Sequence, residues 1–245
     1  MNLKTIASLT LLISSGLAIA GEGPHWDYAG PHGPSHWGEL DPQFAACGNG
    51  RAQTPIDIVE TVDAALPPIA FHYVPGGHDE VNNGHTIQID YDAGSDIRLD
   101  GRDYRLKQFH FHTPSENHIG GRAYPMEAHL VHADAEGRLA VIAVMFEEGP
   151  ENLALASPWA VMPMRAGDSA HFARKVSAEA LLPASHDYYR FEGSLTTPPC
   201  TEGVTWIVMK HPVTASRGQI TKLARAMGHP NNRPLQALNA RVVLE

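Results

Sequence analysis

Apolar residues in this chain occur in short runs, many of which alternate with polar residues in the two-residue period of a β-strand. Such runs predict strands, joined by turns into a mostly antiparallel sheet, at residues 86–91, 104–112, 127–132, 139–146 and 204–209. Helical patterns are few: residues 152–156 and 221–227 each predict a short helix, the second ending at Gly228. We therefore expect a mainly β (α+β) fold with short helices at its periphery.

The first twenty residues have the pattern of a secretory signal peptide. Lys4 lies in a short basic segment, an apolar run covers residues 6–17, and Ala18-Ile19-Ala20 forms an Ala-x-Ala cleavage site before Gly21. A membrane anchor is the weaker interpretation, because the apolar run is shorter than the ~20 residues that cross a bilayer. We expect cleavage to leave residues 21–245 as an exported chain with no membrane span, in the periplasm in preference to the extracellular space.

The length and charge of the exported part limit its organisation and its partners. Residues 21–245 contain no internal repeat and no Ser- or Pro-rich linker, which favours a single domain. The whole chain has 18 Lys and Arg against 27 Asp and Glu, a formal net charge of −9. An acidic surface repels nucleic acid, so we expect no nucleic-acid partner.

The chain has two cysteines, Cys47 and Cys200. In an oxidising compartment an even pair predicts one disulfide bond. Metal ligation is the alternative, but neither residue has the Cys-x-x-Cys neighbour that is typical of zinc sites. The disulfide is therefore the preferred interpretation.

The segment from Gly21 to Leu40 carries three histidines, His25, His32 and His36. A histidine-rich tract can bind metal. We interpret these side chains instead as surface or packing residues of an irregular arm, which Trp26 and Trp37 attach to the body of the protein.

A pattern with chemical potential lies in the run 108–112. On a strand, Gln108, His110 and His112 share one face, while Phe109 and Phe111 face the opposite side. Two imidazoles two residues apart on one face of a strand can bind the same metal ion.

A third imidazole is available on the run 127–132, where Glu127, His129 and Val131 share a face. It joins the first two if the strands pair. Three neutral nitrogen ligands leave the fourth position of a tetrahedral zinc ion open for water, which distinguishes a catalytic site from a structural one. Gln108 and Glu127 lie on the right faces to accept hydrogen bonds from the ligands' other ring nitrogens. The alternative is that these histidines are scattered core or surface residues.

Several motifs, in order along the chain, match a known family. They are Gln53-Thr54-Pro55-Ile56-Asp57, Asn82-Asn83-Gly84-His85, Gln-Phe-His-Phe-His at 108–112, Glu-Ala-His-Leu-Val-His at 127–132, Ser-Leu-Thr-Thr-Pro-Pro-Cys at 194–200, Val204-Thr205-Trp206 and Asn232-Arg233-Pro234. With this set, the chain resembles the α-class carbonic anhydrases of the exported bacterial type. The resemblance implies one catalytic domain around a central, twisted sheet of about ten strands.

The resemblance also implies a Zn2+ cofactor bound by His110, His112 and His129. The activity implied is the reversible hydration of carbon dioxide to bicarbonate and a proton by zinc-bound hydroxide. Thr196 is similar to the family's threonine that orients this hydroxide and donates a hydrogen bond to a carboxylate, here Glu116. His118 lies one position later than the histidine of many relatives, and we assign it no role.

The remaining implied roles concern the substrate and the proton. Carbon dioxide is small and apolar, so its pocket needs a dry wall. The residues that match this pocket are Val131, Val141, Leu195, Thr197 and Trp206, for which ordinary core packing is the alternative. His85 matches the family's proton shuttle, because an imidazole titrates near neutral pH. The residues that match the water network between zinc and His85 are Tyr28, Asn83 and Gln88.

Two other functions remain as alternatives. A zinc-dependent esterase or other hydrolase is one, although the chain lacks His-Glu-x-x-His and Gly-x-Ser-x-Gly motifs. A catalytically silent binding module on the same fold is the other, and the presence of all three histidines argues against it. Bacterial members of the family are often dimers, so a second copy of this chain is a candidate partner.

Overall fold

A computed structural model of the chain describes residues 24–245, so the predicted signal peptide lies outside the described residues. The strands are β1 (Asp57–Ile58), β2 (Ala70–His72), β3 (Gly77–Asn82), β4 (Ile87–Tyr91), β5 (Asp96–Leu99), β6 (Arg102–His112), β7 (His118–Ile119), β8 (Met126–Ala133), β9 (Leu139–Glu148), β10 (Ser169–Val176), β11 (Tyr188–Ser194), β12 (Glu202–Met209) and β13 (Val213–Ala215). The α-helices are α1 (Trp37–Leu40), α2 (Ala45–Asn49), α3 (Ala156–Val161) and α4 (Arg217–Met227). Short 3-10 turns cover Gly30–His32, Pro42–Phe44, Leu153–Leu155 and Ala178–Leu181.

Eleven of these strands form one large sheet, whose main order is β10-β3-β4-β6-β8-β9-β12-β11. Strand β13 pairs with β9, and β5 joins β2 to β6. Most pairs are antiparallel, as predicted, but β9 pairs in parallel with β12 and with β13. Strands β1 and β7 form a separate parallel pair. The prediction of a mainly β fold around a mostly antiparallel sheet is confirmed, and the parallel contact of β9 with β12 lies next to the last strand of the main order, β11.

The central strands are buried on both faces, which explains their nearly continuous apolar sequence. On β9, Ile142 and Val144 pack into the larger hydrophobic core on one side of the sheet. Val141 and Met145 alternate with them and pack into a second core together with Trp206. The sheet therefore separates two cores, and the second one borders the face that carries the three histidines.

The helices lie outside the sheet, and the longest of them, α4, has a capping box at its start. The predicted helix at 152–156 is a 3-10 turn, Leu153–Leu155, which continues into α3. Helix α4 begins four residues before its predicted start, because Ser216 and Gln219 form a capping box. It ends at Gly228, whose positive φ of 74° favours glycine. Among residues 24–245, no helix has both the length and the apolar character that a membrane crossing requires.

The N-terminal arm is fastened at two points. Trp37 is fully buried, and its indole N–H donates to the backbone carbonyls of Asp27 and His32, each at 2.9 Å. Cys47 and Cys200 form the predicted disulfide, with an S–S distance of 2.07 Å. This bond joins helix α2, which follows the arm, to the loop that carries Thr196 and Thr197 at the candidate site.

Replacing both cysteines, Cys47→Ser and Cys200→Ser, is expected to lower the free energy of unfolding by about 4 kcal/mol. The disulfide spans 153 residues, and opening a loop of this length restores chain entropy to the unfolded state. Urea denaturation of the oxidised wild-type protein and the double variant measures the difference. Reduced wild-type protein is the control and is expected to unfold at the same urea concentration as the variant. Equal stability of all three samples would contradict the expectation.

Candidate metal centre and active-site cavity

The pairing of β6 with β8 brings the three histidines together. In this antiparallel register His110 lies opposite His129, and His112 lies opposite Glu127. One nitrogen from each imidazole lies within 4.8 Å of the corresponding nitrogens of the other two. His112 and His129 are buried, and His110 is half-buried at the floor of a cavity. The geometry predicted from strand parity is therefore present.

Each ring has one nitrogen in contact with a fixed partner. Nδ1 of His110 lies 2.8 Å from Oε1 of Gln108, and Nε2 of His129 lies 2.9 Å from Oε1 of Glu127. Nδ1 of His112 donates to the backbone carbonyl of Asn231 at 2.6 Å, a partner that the sequence did not reveal. These contacts fix the orientation of all three rings.

One nitrogen of each ring lies close to those of the other two rings, so these nitrogens are the candidate metal ligands. Whether a metal ion fits there depends on whether they have other partners. Nε2 of His112 is buried and has no hydrogen-bond partner among the described residues. A buried polar atom without a partner is unfavourable, and a bound cation removes that cost. Three imidazole nitrogens suit zinc, and the residues present therefore fit the ion that the sequence predicted.

Burial keeps these imidazoles in the neutral form that a metal ion needs. Desolvation lowers the pKa of His110 and of His129 well below the ordinary value, and the neighbouring imidazoles add to this effect. Desolvation also lowers the pKa of His112, against the opposing effects of the Asn231 carbonyl and Glu127. A neutral ring presents a lone pair, so the cluster is ready to bind a cation.

Glu127 is held by four hydrogen bonds. Its Oε2 accepts from the backbone N–H groups of Glu116 at 2.6 Å and Asn117 at 2.9 Å. Its Oε1 accepts from the Asn117 amide at 2.8 Å, in addition to His129. Burial raises the pKa of Glu127, and the bonds from Asn117 oppose that rise. Asn117, which sequence reasoning missed, thus positions the partner of a ligand.

Glu116 is a second buried carboxyl next to the imidazoles of His112 and His129. Its Oε1 accepts from the backbone N–H of Arg233 at 2.9 Å, while Oε2 lies 3.5 Å from Nε2 of His112 and 3.9 Å from Nδ1 of His129. Burial raises the pKa of Glu116 to about 8, against the effects of the Arg233 N–H and the Thr196 hydroxyl. Thr196 is buried beside this carboxyl, although no hydrogen bond of good geometry reaches Oε2. The structure therefore places the predicted threonine and glutamate side by side at the candidate metal centre.

The imidazoles of His110 and His112 open onto a cavity of about 140 Å3. Most of the polar residues predicted from the sequence line this cavity, namely Tyr28, Asn83, His85, Gln88, Gln108 and Thr197. Trp26 and Thr86 also line it and were not predicted. The N-terminal arm thus contributes two aromatic side chains to the wall.

The predicted apolar residues lie on the other side of the centre. Val131, Val141, Leu195 and Trp206 belong to one hydrophobic cluster, the second core described above. The Trp206 ring meets the His129 ring edge to face, with centroids 4.9 Å apart. The structure therefore gives the histidine cluster an apolar flank and a polar flank.

Two predicted residues of the water network are engaged in local structure. Oδ1 of Asn83 accepts from the backbone N–H groups of His85 and Thr86, both at 2.9 Å, and so shapes the turn before β4. The Gln88 amide donates to Asp90 at 2.7 Å. His118, which received no role, lies in β7 and donates its backbone N–H to Ile56.

Together, the fold and this site define a class: a β-sheet protein with three imidazoles that could hold one metal ion beside a small cavity. The family model for eukaryotic-type carbonic anhydrases matches residues 32–245. The chain is 44% identical over 243 residues to a carbonic anhydrase of Pectobacterium carotovorum, which covers 99% of this chain and 100% of the relative. It is 48% identical over 246 residues to a carbonic anhydrase of Neisseria gonorrhoeae, with 99% and 97% covered.

A solved structure is similar over nearly the whole described chain. It is the α-carbonic anhydrase from Thermovibrio ammonificans in complex with sulfanilamide, with a TM-score of 0.90 and 48% sequence identity. The match covers 91% of this chain and 100% of that one. The chain therefore belongs to the α-type, or eukaryotic-type, carbonic anhydrase family and is an enzyme of that family, which confirms the resemblance seen in its motifs.

Proposed function

We propose that this enzyme uses one zinc ion, bound by His110, His112 and His129, to hydrate carbon dioxide reversibly to bicarbonate and a proton. Membership of the carbonic anhydrase family supports the hydration of carbon dioxide. The observation that supports the zinc ion is the convergence of three neutral imidazoles whose other nitrogens are already bonded. When bound, zinc acts as a Lewis acid and supplies a hydroxide nucleophile near neutral pH.

The chain's own residues orient the reacting groups. In this proposal the Thr196 hydroxyl would accept a hydrogen bond from the nucleophile and donate its own to Oε2 of Glu116, which has no other hydrogen-bond partner among the described residues. The Arg233 backbone N–H holds Glu116 from the other side at 2.9 Å. With Thr196 donating to Oε2, both oxygens of the buried carboxyl would be held.

The apolar flank suits the substrate. Carbon dioxide has no net dipole and makes weak hydrogen bonds, so it prefers a dry surface next to the nucleophile. Val131, Val141, Leu195 and Trp206 supply that surface in this proposal, and Thr197 lies on the polar side, where it contacts the leaving bicarbonate. Bicarbonate is charged and moves toward the polar cavity and the solvent.

Each hydration also releases a proton, which must leave the cavity. In this proposal His85 receives it through water bounded by Tyr28, Asn83 and Gln88, all of which line the cavity with His85. Nδ1 of His85 is buried without a hydrogen-bond partner among the described residues, so it is available to accept a proton from that water.

We also propose that the enzyme is exported. The disulfide between Cys47 and Cys200 supports this location, because such bonds persist in oxidising compartments. The signal peptide, the periplasmic location and the homodimer remain predictions from the sequence.

The test of the proposed function is a comparison of metal content and two activities. The protein is treated with a chelator, dialysed and reloaded with zinc, and carbon dioxide hydration is measured beside hydrolysis of 4-nitrophenyl acetate. We expect one zinc per chain, loss and recovery of hydration with the metal, and a kcat/KM for carbon dioxide at least ~1000-fold above that for the ester. Faster ester hydrolysis would favour the hydrolase, and absence of both zinc and hydration would favour the silent binding module.

A further inference from the structure

The environment of His85 suggests a second step in proton release. The ring of Trp26 stacks on the His85 imidazole at 3.7 Å with an angle of 11° between the planes, so one face of the imidazole is covered. Desolvation lowers the pKa of His85; Asp27 opposes this effect, while His25 and His229 add to it. The half-buried imidazole thus meets solvent on a rim that carries one carboxylate and two further imidazoles.

His229, unlike His25, has a ring nitrogen hydrogen-bonded to the backbone of the described residues. It follows helix α4, and its Nδ1 donates to the backbone carbonyl of Pro230 at 3.0 Å. Since a carbonyl only accepts, this bond selects the neutral form in which Nε2 carries the lone pair. That Nε2 faces the Asp27 carboxylate, with 3.9 Å between Nε2 and Oδ1. A proton that arrives at Nε2 therefore finds a counter-ion in place.

Asp27 is itself fixed, because its Oδ1 accepts from the backbone N–H of Tyr28 at 2.6 Å. The Tyr28 ring is a neighbour of both imidazoles, with its centroid 6.4 Å from the His85 ring and 6.0 Å from the His229 ring. The His229 side chain is 36% exposed, so it is open to buffer on its outer side. The same tyrosine therefore borders a half-buried proton acceptor and a solvent-facing one.

We infer that His229 is a second proton carrier, which takes the proton from His85 and delivers it to the buffer, and that Asp27 is its positioning residue. The inference rests on the proposed role of His85 in carbon dioxide hydration. In this step an N–H bond of the His85 imidazolium breaks and the proton passes through water to Nε2 of His229. The new N–H bond then breaks toward a buffer base, and both imidazoles return to their neutral forms.

The test uses the zinc-loaded enzyme and the variants His229→Ala, His229→Gln and Asp27→Asn. In dilute buffer at neutral pH, His229→Ala is expected to lower kcat on the order of tenfold. This loss is smaller than the typical effect of removing a general acid or base that acts in the chemical step. The ratio kcat/KM is expected to stay unchanged, because it covers the steps before proton export. Concentrated buffer or added imidazole restores kcat. Asp27→Asn is expected to show the same pattern with a smaller loss.

Three comparisons separate proton transfer from a structural role. His229→Gln keeps a hydrogen-bonding side chain that does not titrate and is expected to match His229→Ala; recovery of kcat by glutamine would overturn the inference. The double variant with His85→Ala is expected to be no slower than His85→Ala alone, because the two residues act in series. His36→Ala is the matched control: it removes an exposed imidazole of the N-terminal arm, 4.0 Å from the carboxylate of Glu39, and is expected to leave kcat unchanged.

Two results distinguish failure of this inference from failure of the proposed function. If the wild-type enzyme and His229→Ala have equal kcat in dilute buffer while His85→Ala is slow, His229 carries no proton and the proposed function stands. If zinc-loaded wild-type protein shows no hydration, the proposed function fails first. A parallel fall in kcat and kcat/KM for His229→Ala would also overturn the inference, because it indicates distortion of the site.

Discussion

Replacing His129 with alanine is expected to remove the zinc ion and to lower carbon dioxide hydration by well over 100-fold. This loss exceeds the roughly 10- to 100-fold effect of replacing a residue that only supports a metal ligand. The reason is geometric: His129 supplies one of the three converging nitrogens, and its ring is fixed by Glu127. The remaining pair on β6 leaves a metal ion with two protein ligands, too few for a stable tetrahedral site. Zinc content by mass spectrometry and hydration by stopped-flow absorbance measure the two effects together.

His132 provides a matched control on the same strand. It is buried like His129 but faces the opposite core, where its Nε2 accepts from the Tyr73 hydroxyl at 2.7 Å and its Nδ1 donates to the Ala140 carbonyl at 3.3 Å. Burial lowers its pKa to about 4. His132→Ala is expected to cost stability and to keep one zinc per chain. Retention of zinc and hydration by His129→Ala, or loss of zinc from folded His132→Ala, would contradict the assignment.

Much of the candidate metal centre was predictable because a strand has a fixed period. The alternation on β6 puts His110 and His112 on one face with Gln108, and the alternation on β8 puts His129 on a face with Glu127. Pairing of the two strands was the only further assumption, and the register confirms it. The side-chain partners of two ligands followed from the same parity.

Partners supplied by the backbone or by distant loops were not predictable. The carbonyl of Asn231 that accepts from His112 is 119 residues away in sequence, and a carbonyl carries no residue-type signal. The backbone N–H of Arg233, which donates to Glu116 across 117 residues, also carries no residue-type signal. Asn117 was visible as a residue, but only the folded loop brings its amide to Glu127. Tertiary structure, rather than local pattern, decides these contacts.

The same distinction applies to the fold. Short apolar runs, many of them alternating, identified the central strands, but such runs do not show which strands become neighbours, so the parallel contact of β9 with β12 was missed. The rule that charged residues lie at the surface also fails away from the candidate metal centre. Glu80 lies on β3 between Ile89 of β4 and Ala170 of β10, and it is fully buried.

Glu80 lies on the inner face of the sheet, beneath the helices. Asn82, two residues later on the same face, donates to the carbonyls of Pro163 and Ala226. Neither carboxyl oxygen of Glu80 has a hydrogen-bond partner among the described residues. Desolvation raises the pKa of Glu80 from 4.5 to about 8, and the positive charge of Lys222 opposes this rise. The proposed catalytic steps do not use this carboxyl, so its effect falls on stability.

The free energy of unfolding is therefore expected to fall as pH rises from about 5 to about 8. Over this range the unfolded chain has released the Glu80 proton while the folded protein retains it, so the folded state binds more protons. The shift from 4.5 to about 8 corresponds to at most about 5 kcal/mol. Glu80→Gln does not titrate and is expected to remove this part of the pH dependence, which makes the variant more stable than the wild type at alkaline pH. Urea denaturation at a series of pH values measures how the free energy of unfolding of each protein changes with pH.

Two further variants decide whether burial of Glu80 is the cause. Glu151→Gln changes an exposed glutamate and is expected to keep the wild-type slope. Lys222→Met removes the charge that favours ionised Glu80, so the fall in stability is expected to extend to higher pH. Equal slopes for the wild type and Glu80→Gln would show that the carboxyl ionises without cost in the folded protein. Such a result requires water or a cation to reach Glu80, because a buried, unpaired carboxylate is otherwise strongly unfavourable.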